Sequence, residues 1–184
     1  MYAVLLVLVI DGLSLAVYSS EISHLIPSDT PHDILNKMAG TATISMGVGA
    51  TIGGFLSGFI SDRIGELRSG RLGLAAWVGS CGIVVADLFW PSLWLTFVAA
   101  FTWGFCLFYI EGWMYIVCSR CYKGRSEAFS VNKLLHCLLY LIAQIGILVT
   151  NNSLPLKYIF PSMALLAIPA LLLINRLPAS SQQS

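Results

Sequence analysis

The stretch Gly58–Arg71, GFISDRIGELRSGR, holds five charged residues within ten positions. The chain around it is apolar: of 184 residues 57% are hydrophobic and 10% are charged, and the mean hydropathy is +0.82. A soluble domain carries about 25% charged residues. Several apolar runs here exceed about 18 residues, enough helix to cross roughly 30 Å of hydrocarbon. The sequence therefore predicts an integral membrane protein rather than a soluble helical one. The net charge of +1 indicates no nucleic-acid partner.

Six apolar segments divide the chain, and we expect each to cross the bilayer as a helix. They cover approximately residues 1–19, 34–60, 72–88, 92–118, 128–150 and 156–174. The predicted fold class is all-α, a polytopic six-transmembrane-helix bundle over residues 1–176, followed by a disordered cytoplasmic tail at 177–184. The first segment can also be read as a secretory signal peptide. The absence of Lys and Arg before it and the Asp11 within it both oppose cleavage.

Basic residues are distributed unevenly among the connections between these segments. The second and fourth connections and the tail hold seven of them: Arg63, Arg68, Arg71, Arg120, Lys123, Arg125 and Arg176. The other three connections hold two, Lys37 and Lys157, and Lys133 lies inside the fifth segment. By the positive-inside rule, we expect both termini to be cytoplasmic. The sequon Asn151–Ser153 then falls on the lumenal side, too close to the membrane for us to expect its modification.

Glycines of the second segment recur at helical spacing. Gly49 and Gly53 are four residues apart, as are Gly54 and Gly58. Such spacing leaves bare backbone on a helix face and predicts close approach of a neighbouring helix. Gly65 follows the segment, and we expect it to end the helix in a left-handed conformation.

The order Gly58-x-x-x-Asp62-Arg63-x-Gly65 resembles the loop signature of the major facilitator superfamily, which joins the second and third helices of a six-helix half. The resemblance implies that Asp62 and Arg63 latch neighbouring helices together on the cytoplasmic side in one state of the alternating-access cycle. The family pattern continues with two basic residues, whereas an acidic and an apolar residue follow Gly65 here. The alternative is a charged connection that serves only the positive-inside rule.

Two longer stretches, residues 47–65 and 125–146, look like the C-terminal half of the uncoordinated-93-like branch of this superfamily, which includes the major facilitator domain-containing protein 11 type. In that branch a Gly-rich second helix precedes the loop. The fifth helix opens with Ala-Phe and then a Lys, matched by Ala128, Phe129 and Lys133. The family's fourth helix also carries a Gly-Asp pair and an Asn-Thr-Gln run, and both are missing from residues 104–115.

Polar side chains inside the predicted spans are functional candidates, because ionisable groups at membrane depth are costly. The candidates for an intramembrane relay are Asp11, Glu111, Lys133, His136 and Gln144. Lys133 and His136 are three residues apart and share a helix face. Pairing of Glu111 with either of them would form a polar seam suited to relaying protons or binding substrate. Each residue can instead be structural, Lys133 by extending to the membrane edge. Asp87 is expected at the exofacial interface.

Other motifs indicate neither an enzyme nor a cofactor. The five cysteines are odd in number and lie within or beside the spans, which opposes a disulfide framework. The CSRC spacing at residues 118–121 has no second pair of metal ligands, so we expect no metal and no other cofactor. A nucleophile elbow, a zinc-protease motif and a P-loop are all missing.

Two functions remain open from the sequence. The first is a half-transporter, or a fragment of a longer protein, that contributes one wall of a pathway for an unknown small solute, completed by a second six-helix half. The second is a non-transporting partner of the uncoordinated-93-like kind that regulates or escorts other membrane proteins, such as ion channels or receptors. The expected partners are the lipid bilayer and either that second half or another membrane protein.

Overall fold

The computed structural model describes residues 2–21, 32–121, 126–149 and 156–174, which are α-helical apart from two short turns. The helices are α1 (Tyr2–Glu21), α2 (His32–Ile64), α3 (Glu66–Phe89), α4 (Leu93–Cys121), α5 (Ser126–Val149) and α6 (Leu156–Ile174). The predicted tail at 177–184, the sequon and residues 122–125 with Lys123 and Arg125 lie outside the described residues.

The length and apolarity of the helices identify this bundle as a membrane protein. Within the described residues, four helices are long and apolar enough to cross a bilayer: Ile34–Ile64, Glu66–Phe89, Leu93–Arg120 and Phe129–Val149. α1 and α6 contain the shorter apolar segments Leu6–Tyr18 and Phe160–Ala170. Large apolar side chains are exposed on the outer faces of the helices, which suits contact with lipid tails rather than water. The prediction of an all-helical integral membrane protein is therefore confirmed.

The charged stretch is helical except at one residue, where the sequence had predicted a longer loop. α2 continues to Ile64 and α3 begins at Glu66, so that Gly65 alone separates them. Gly65 has a φ of 84°, which glycine adopts without the steric strain that a Cβ would cause. Its N–H donates to the Ser61 carbonyl at 3.1 Å, and its own carbonyl accepts from the Ser69 N–H at 3.0 Å. This tight turn holds the charged side chains on two rigid helix ends.

α1 and α4 form the centre of the bundle. α4 packs against α2 and α3, and α1 packs against α5 and α6. α3 contacts α2, α4 and α6, so it lies away from α5. An aromatic cluster joins the central helices: the Tyr18 and Trp103 rings stack at 5.2 Å, and Phe160 meets Trp103 edge-on at 5.2 Å. Trp77 of α3 also lies beside Trp103 at 6.1 Å, so the core lies between α1, α3, α4 and α6.

The α2–α4 interface depends on glycine. A Cβ at Gly49 or Gly53 would overlap the carbonyl oxygen of Phe101 or Phe105, respectively, on α4. By contrast, in the described part of the chain no atom of a neighbouring helix lies within 4 Å of a Cβ built at Gly54 or Gly58. The four glycines of the predicted packing set thus lie on two different faces of α2, and only the face with Gly49 and Gly53 meets α4.

Candidate functional site

Asp11 of α1 and His136 of α5 form a buried ion pair. Asp11 Oδ2 lies 2.9 Å from His136 Nδ1, and the two side chains are only 2% and 8% exposed. The two helices nearly touch here, because a Cβ at Gly12 would lie 3.0 Å from the Leu139 Cβ. Neither Asp11 Oδ2 nor His136 Nδ1 makes a hydrogen bond to the described residues in this conformation, so the contact is electrostatic, and proton exchange between an acid and an imidazole needs a change in their alignment. The pair is therefore sealed from solvent but chemically able to hold a proton.

Glu111 and Lys133 form a second pair on the same side of the bundle. Lys133 Nζ donates to Glu111 Oε1 at 2.6 Å, and the Tyr115 hydroxyl donates to the same oxygen at 2.9 Å. The Glu111 side chain is largely buried, whereas half of the Lys133 side chain is exposed. This pair thus forms the accessible edge of the polar cluster, and the pair of Asp11 with His136 forms its closed interior.

The two pairs form one charge-balanced cluster across α1, α4 and α5, which we call the polar cluster (Asp11, Glu111, Lys133, His136). Lys133 and His136 lie on one face of α5, less than one turn apart. Two acids opposite two bases make the cluster tolerable at membrane depth, where an isolated charge is costly. Of the two pairings considered for Glu111, the structure shows the one with Lys133 and places His136 against Asp11 instead.

Gln144 is separate from the polar cluster. Its Nε2 donates to the Ala16 carbonyl at 3.2 Å and lies 3.2 Å from the Tyr140 hydroxyl. It is eight residues beyond His136, about 12 Å farther along α5 at 1.5 Å per residue. The contact fastens α5 to α1, which is a structural role in this conformation. Within the described ranges, no group of three or more His, Cys, Asp or Glu side chains is arranged to hold a metal.

A second constellation joins the ends of α2, α3 and α4. Arg120 Nη2 lies 3.0 Å from Asp62 Oδ1, and its Nη1 lies 2.5 Å from Glu66 Oε1. Trp113 Nε1 donates to the Glu66 carbonyl at 2.8 Å. Arg63 instead lies over the Phe59 ring of its own helix, 4.3 Å from the ring centroid. We call Asp62, Glu66 and Arg120 the arginine clamp; it includes one of the two predicted latch residues.

Sequence reasoning missed Glu66 and Arg120 as partners. Glu66 was seen only as a departure from the family pattern, and Arg120 only as a marker of membrane topology. Their positions in the sequence could have indicated the contact, because both residues lie at helix ends that meet at the same end of the bundle. Arg120 pairs with Asp62 and Glu66 rather than with other acids because α4 packs against α2 and α3, and the sequence does not show this packing.

Asp87, expected at the exofacial interface, lies near the end of α3. It is buried, and its Oδ1 accepts from the Ser92 N–H at 3.4 Å. The turn between α3 and α4 folds back over it, so that the carboxylate supports the start of α4 in the manner of a helix cap.

The arginine clamp makes a graded stability prediction. Glu66 is 12% exposed and Asp62 is 71% exposed, so solvent screens the Asp62 pair much more strongly. We expect Glu66→Gln to lower the unfolding free energy by about 1–2 kcal/mol, and Asp62→Asn by less than about 0.5 kcal/mol. Thermal unfolding in one detergent measures both. Glu127→Gln on the exposed start of α5 is the matched control. An equal loss for Asp62→Asn and Glu66→Gln would contradict the assignment.

These features define a class: an all-helical membrane protein with paired charges inside its bundle and a charge clamp at one end. The fold is more specific. The structure matches the proton:xylose symporter XylE of the major facilitator superfamily, solved with 6-bromo-6-deoxy-D-glucose, at a TM-score of 0.77 and 18% identity. The match covers 97% of this chain and 45% of that transporter. No family model and no curated protein sequence matches. The chain thus has the fold of the major facilitator superfamily, over rather less than half of a solved transporter.

Proposed function

We propose that this chain supplies one wall of a membrane pathway for a small solute. In the proposal its six helices cross the membrane, equivalent to the C-terminal half of a major facilitator fold, with both termini in the cytoplasm. The polar cluster is the observation that carries it, because two acids and two bases within the membrane spans are rare without a function. The distribution of Lys and Arg supports the orientation, and the fold supports a transporter-type protein.

A second six-helix unit would form the opposite wall. α5 is the least buried of the four long apolar helices, and α4 the most buried. The exposed edge of the polar cluster, at Lys133, lies on α5. We therefore place the pathway between α5 and the second unit, since solute binding between two such halves near the midplane is how transporters of this architecture work.

In this pathway the two pairs have different roles. The pair of Asp11 with His136 holds a proton away from solvent. A shift of α5 relative to α1 would separate the two groups and let each exchange its proton. The pair of Glu111 with Lys133 faces the solute side, where Tyr115 orients the carboxylate. Uptake of a solute would then depend on the proton gradient through Asp11 and on solute contact through Glu111.

Uptake into vesicles tests the proposal. The chain is reconstituted into liposomes with an imposed pH gradient, where a second copy supplies the opposite wall. Labelled solutes are then offered, beginning with xylose, the solute in the name of XylE. We expect gradient-driven uptake, lowered about 100-fold or more by Asp11→Asn and by Glu111→Gln, as for the loss of a positioned acid or base. Glu127→Gln should leave uptake unchanged. Uptake that persists unaltered in both cluster variants would rule out the relay.

The alternative is the uncoordinated-93-like partner that regulates or escorts other membrane proteins without transporting. One observation favours it: each charge of the polar cluster is neutralised within the chain, which leaves no cluster charge available to a solute in this conformation. On this alternative no solute crosses the vesicle membrane in any gradient, and the two ion pairs only fasten α5 to α1 and α4.

A further inference from the structure

The charged end of the bundle, Gly58–Arg71 with Arg120, has more arginines than acids. Its two acids, Asp62 and Glu66, are both paired with Arg120. Arg68 and Arg71 are exposed, and neither is within ion-pair distance of a carboxylate in the described part of the chain. Two guanidinium groups are therefore available at this end to bind an anion.

The same two arginines lie at the start of the lipid-facing side of α3. Arg68 and Arg71 are three residues apart and share a helix face. Leu72, about one turn after Arg68, and Val78, about two turns after Arg71, are exposed on this side. A Cβ at Gly79 or Gly82 would meet no atom of a neighbouring helix within 4 Å in the described part of the chain. Because α3 packs on α2, α4 and α6, this face points away from α5 and its proposed second unit.

We propose that this surface binds one anionic phospholipid, with its phosphate on Arg68 and Arg71 and its acyl chains along Leu72 and Val78. Arginine suits this ligand, because the planar guanidinium donates paired hydrogen bonds to phosphate oxygens. Juxtamembrane basic residues are attracted to anionic lipid at the membrane surface. Arg63, already packed on Phe59, adds positive potential at the edge of the site. The proposal requires membrane insertion of α3 and does not depend on transport.

The pairing pattern is more specific than a topology signal. The positive-inside rule requires basic residues near a span but sets no helix face for them. Here Arg120 is paired within the arginine clamp. Arg68 and Arg71, by contrast, lie next to exposed apolar residues of the same helix. One surface of α3 can therefore contact both the headgroup and the acyl chains of a single lipid molecule.

Lipid titration by native mass spectrometry tests the site. The purified chain in detergent is titrated with phosphatidylglycerol and, separately, with phosphatidylcholine. We expect phosphatidylglycerol to bind about 10-fold more tightly, given two basic contacts at the membrane surface. Arg68→Gln with Arg71→Gln should reduce it to the phosphatidylcholine level, and each single replacement should weaken it about threefold. Lys37→Gln, an exposed basic residue near the other end of α2, should change nothing.

Two further results decide the outcome. Glycerol 3-phosphate in excess should not displace the bound lipid; displacement would show recognition of a free phosphate ester and overturn the proposal. Equal binding of both lipids, or unchanged phosphatidylglycerol binding in the double variant, would overturn it as well. If the double variant does not fold, as judged by helical circular dichroism, the two single variants give the same test.

Discussion

Gly53→Ala is expected to destabilise the bundle strongly, while Gly54→Ala, one residue away, is not. A Cβ at Gly53 would overlap the Phe105 carbonyl and neighbouring backbone atoms of α4. Backbone cannot rotate away as a flexible side chain can, so the two helices must separate. We expect a loss of about 2–3 kcal/mol in unfolding free energy, in the range of overpacking at a tight contact, measured by thermal unfolding in detergent.

Gly54→Ala is the matched control for this experiment. Among the described residues, no atom of a neighbouring helix lies within 4 Å of its added Cβ. Alanine is favoured over glycine inside a helix by up to about 1 kcal/mol. The control should therefore be neutral or slightly more stable than the parent. A similar loss in the two variants would mean that α2 does not approach α4 along the face that contains Gly49 and Gly53.

Removal of one member of the buried pair of Asp11 with His136 should be more damaging than removal of both. Asp11→Leu leaves the imidazole buried without its carboxylate, and His136→Phe leaves the carboxylate without its base. Breaking a buried pair from one side costs about 3–5 kcal/mol. Replacement of both partners by apolar residues of similar size is often neutral, so the double variant should recover most of the lost stability.

A double-mutant cycle of thermal unfolding measures this coupling. Glu127→Leu serves as a control for the removal of an exposed acid. Additive losses in the double variant would contradict a direct pair. Uptake assays of the same variants separate the two proposed functions. For a transport role, the double variant should recover stability but not uptake. For the non-transporting alternative, neither the parent nor any variant takes up solute.

The fold class and the approximate helix ends could be predicted from the sequence, because the length and apolarity of each run are local properties of the chain. Spans predicted at 128–150 and 156–174 correspond to α5 (Ser126–Val149) and α6 (Leu156–Ile174). The major facilitator fold was also predicted, from the spacing of Gly58, Asp62, Arg63 and Gly65, and the match to a solved transporter supports it. The count of six membrane crossings, the C-terminal-half assignment and the uncoordinated-93-like branch stay predictions.

Contacts between distant helices were harder to predict. Sequence spacing placed Lys133 and His136 on one face, but could not show that α1 lies beside α5, and so missed the contact of Asp11 with His136. Likewise, the spacing of Gly49, Gly53, Gly54 and Gly58 could not show which pair meets α4. The charged stretch was predicted to connect two spans because the apolar runs stop on either side of it. Gly65, predicted to end the helix, makes the turn alone.

Side-specific labelling of engineered cysteines tests the six-crossing arrangement most directly. In a background without the five native cysteines, Arg68→Cys at the α2–α3 turn and Ser92→Cys at the α3–α4 turn are labelled in sealed vesicles with an impermeant maleimide. We predict labelling from opposite sides, with tags at both termini on the same side as Arg68→Cys. Labelling of both cysteines from one side, or tags on opposite sides of the membrane, would contradict it.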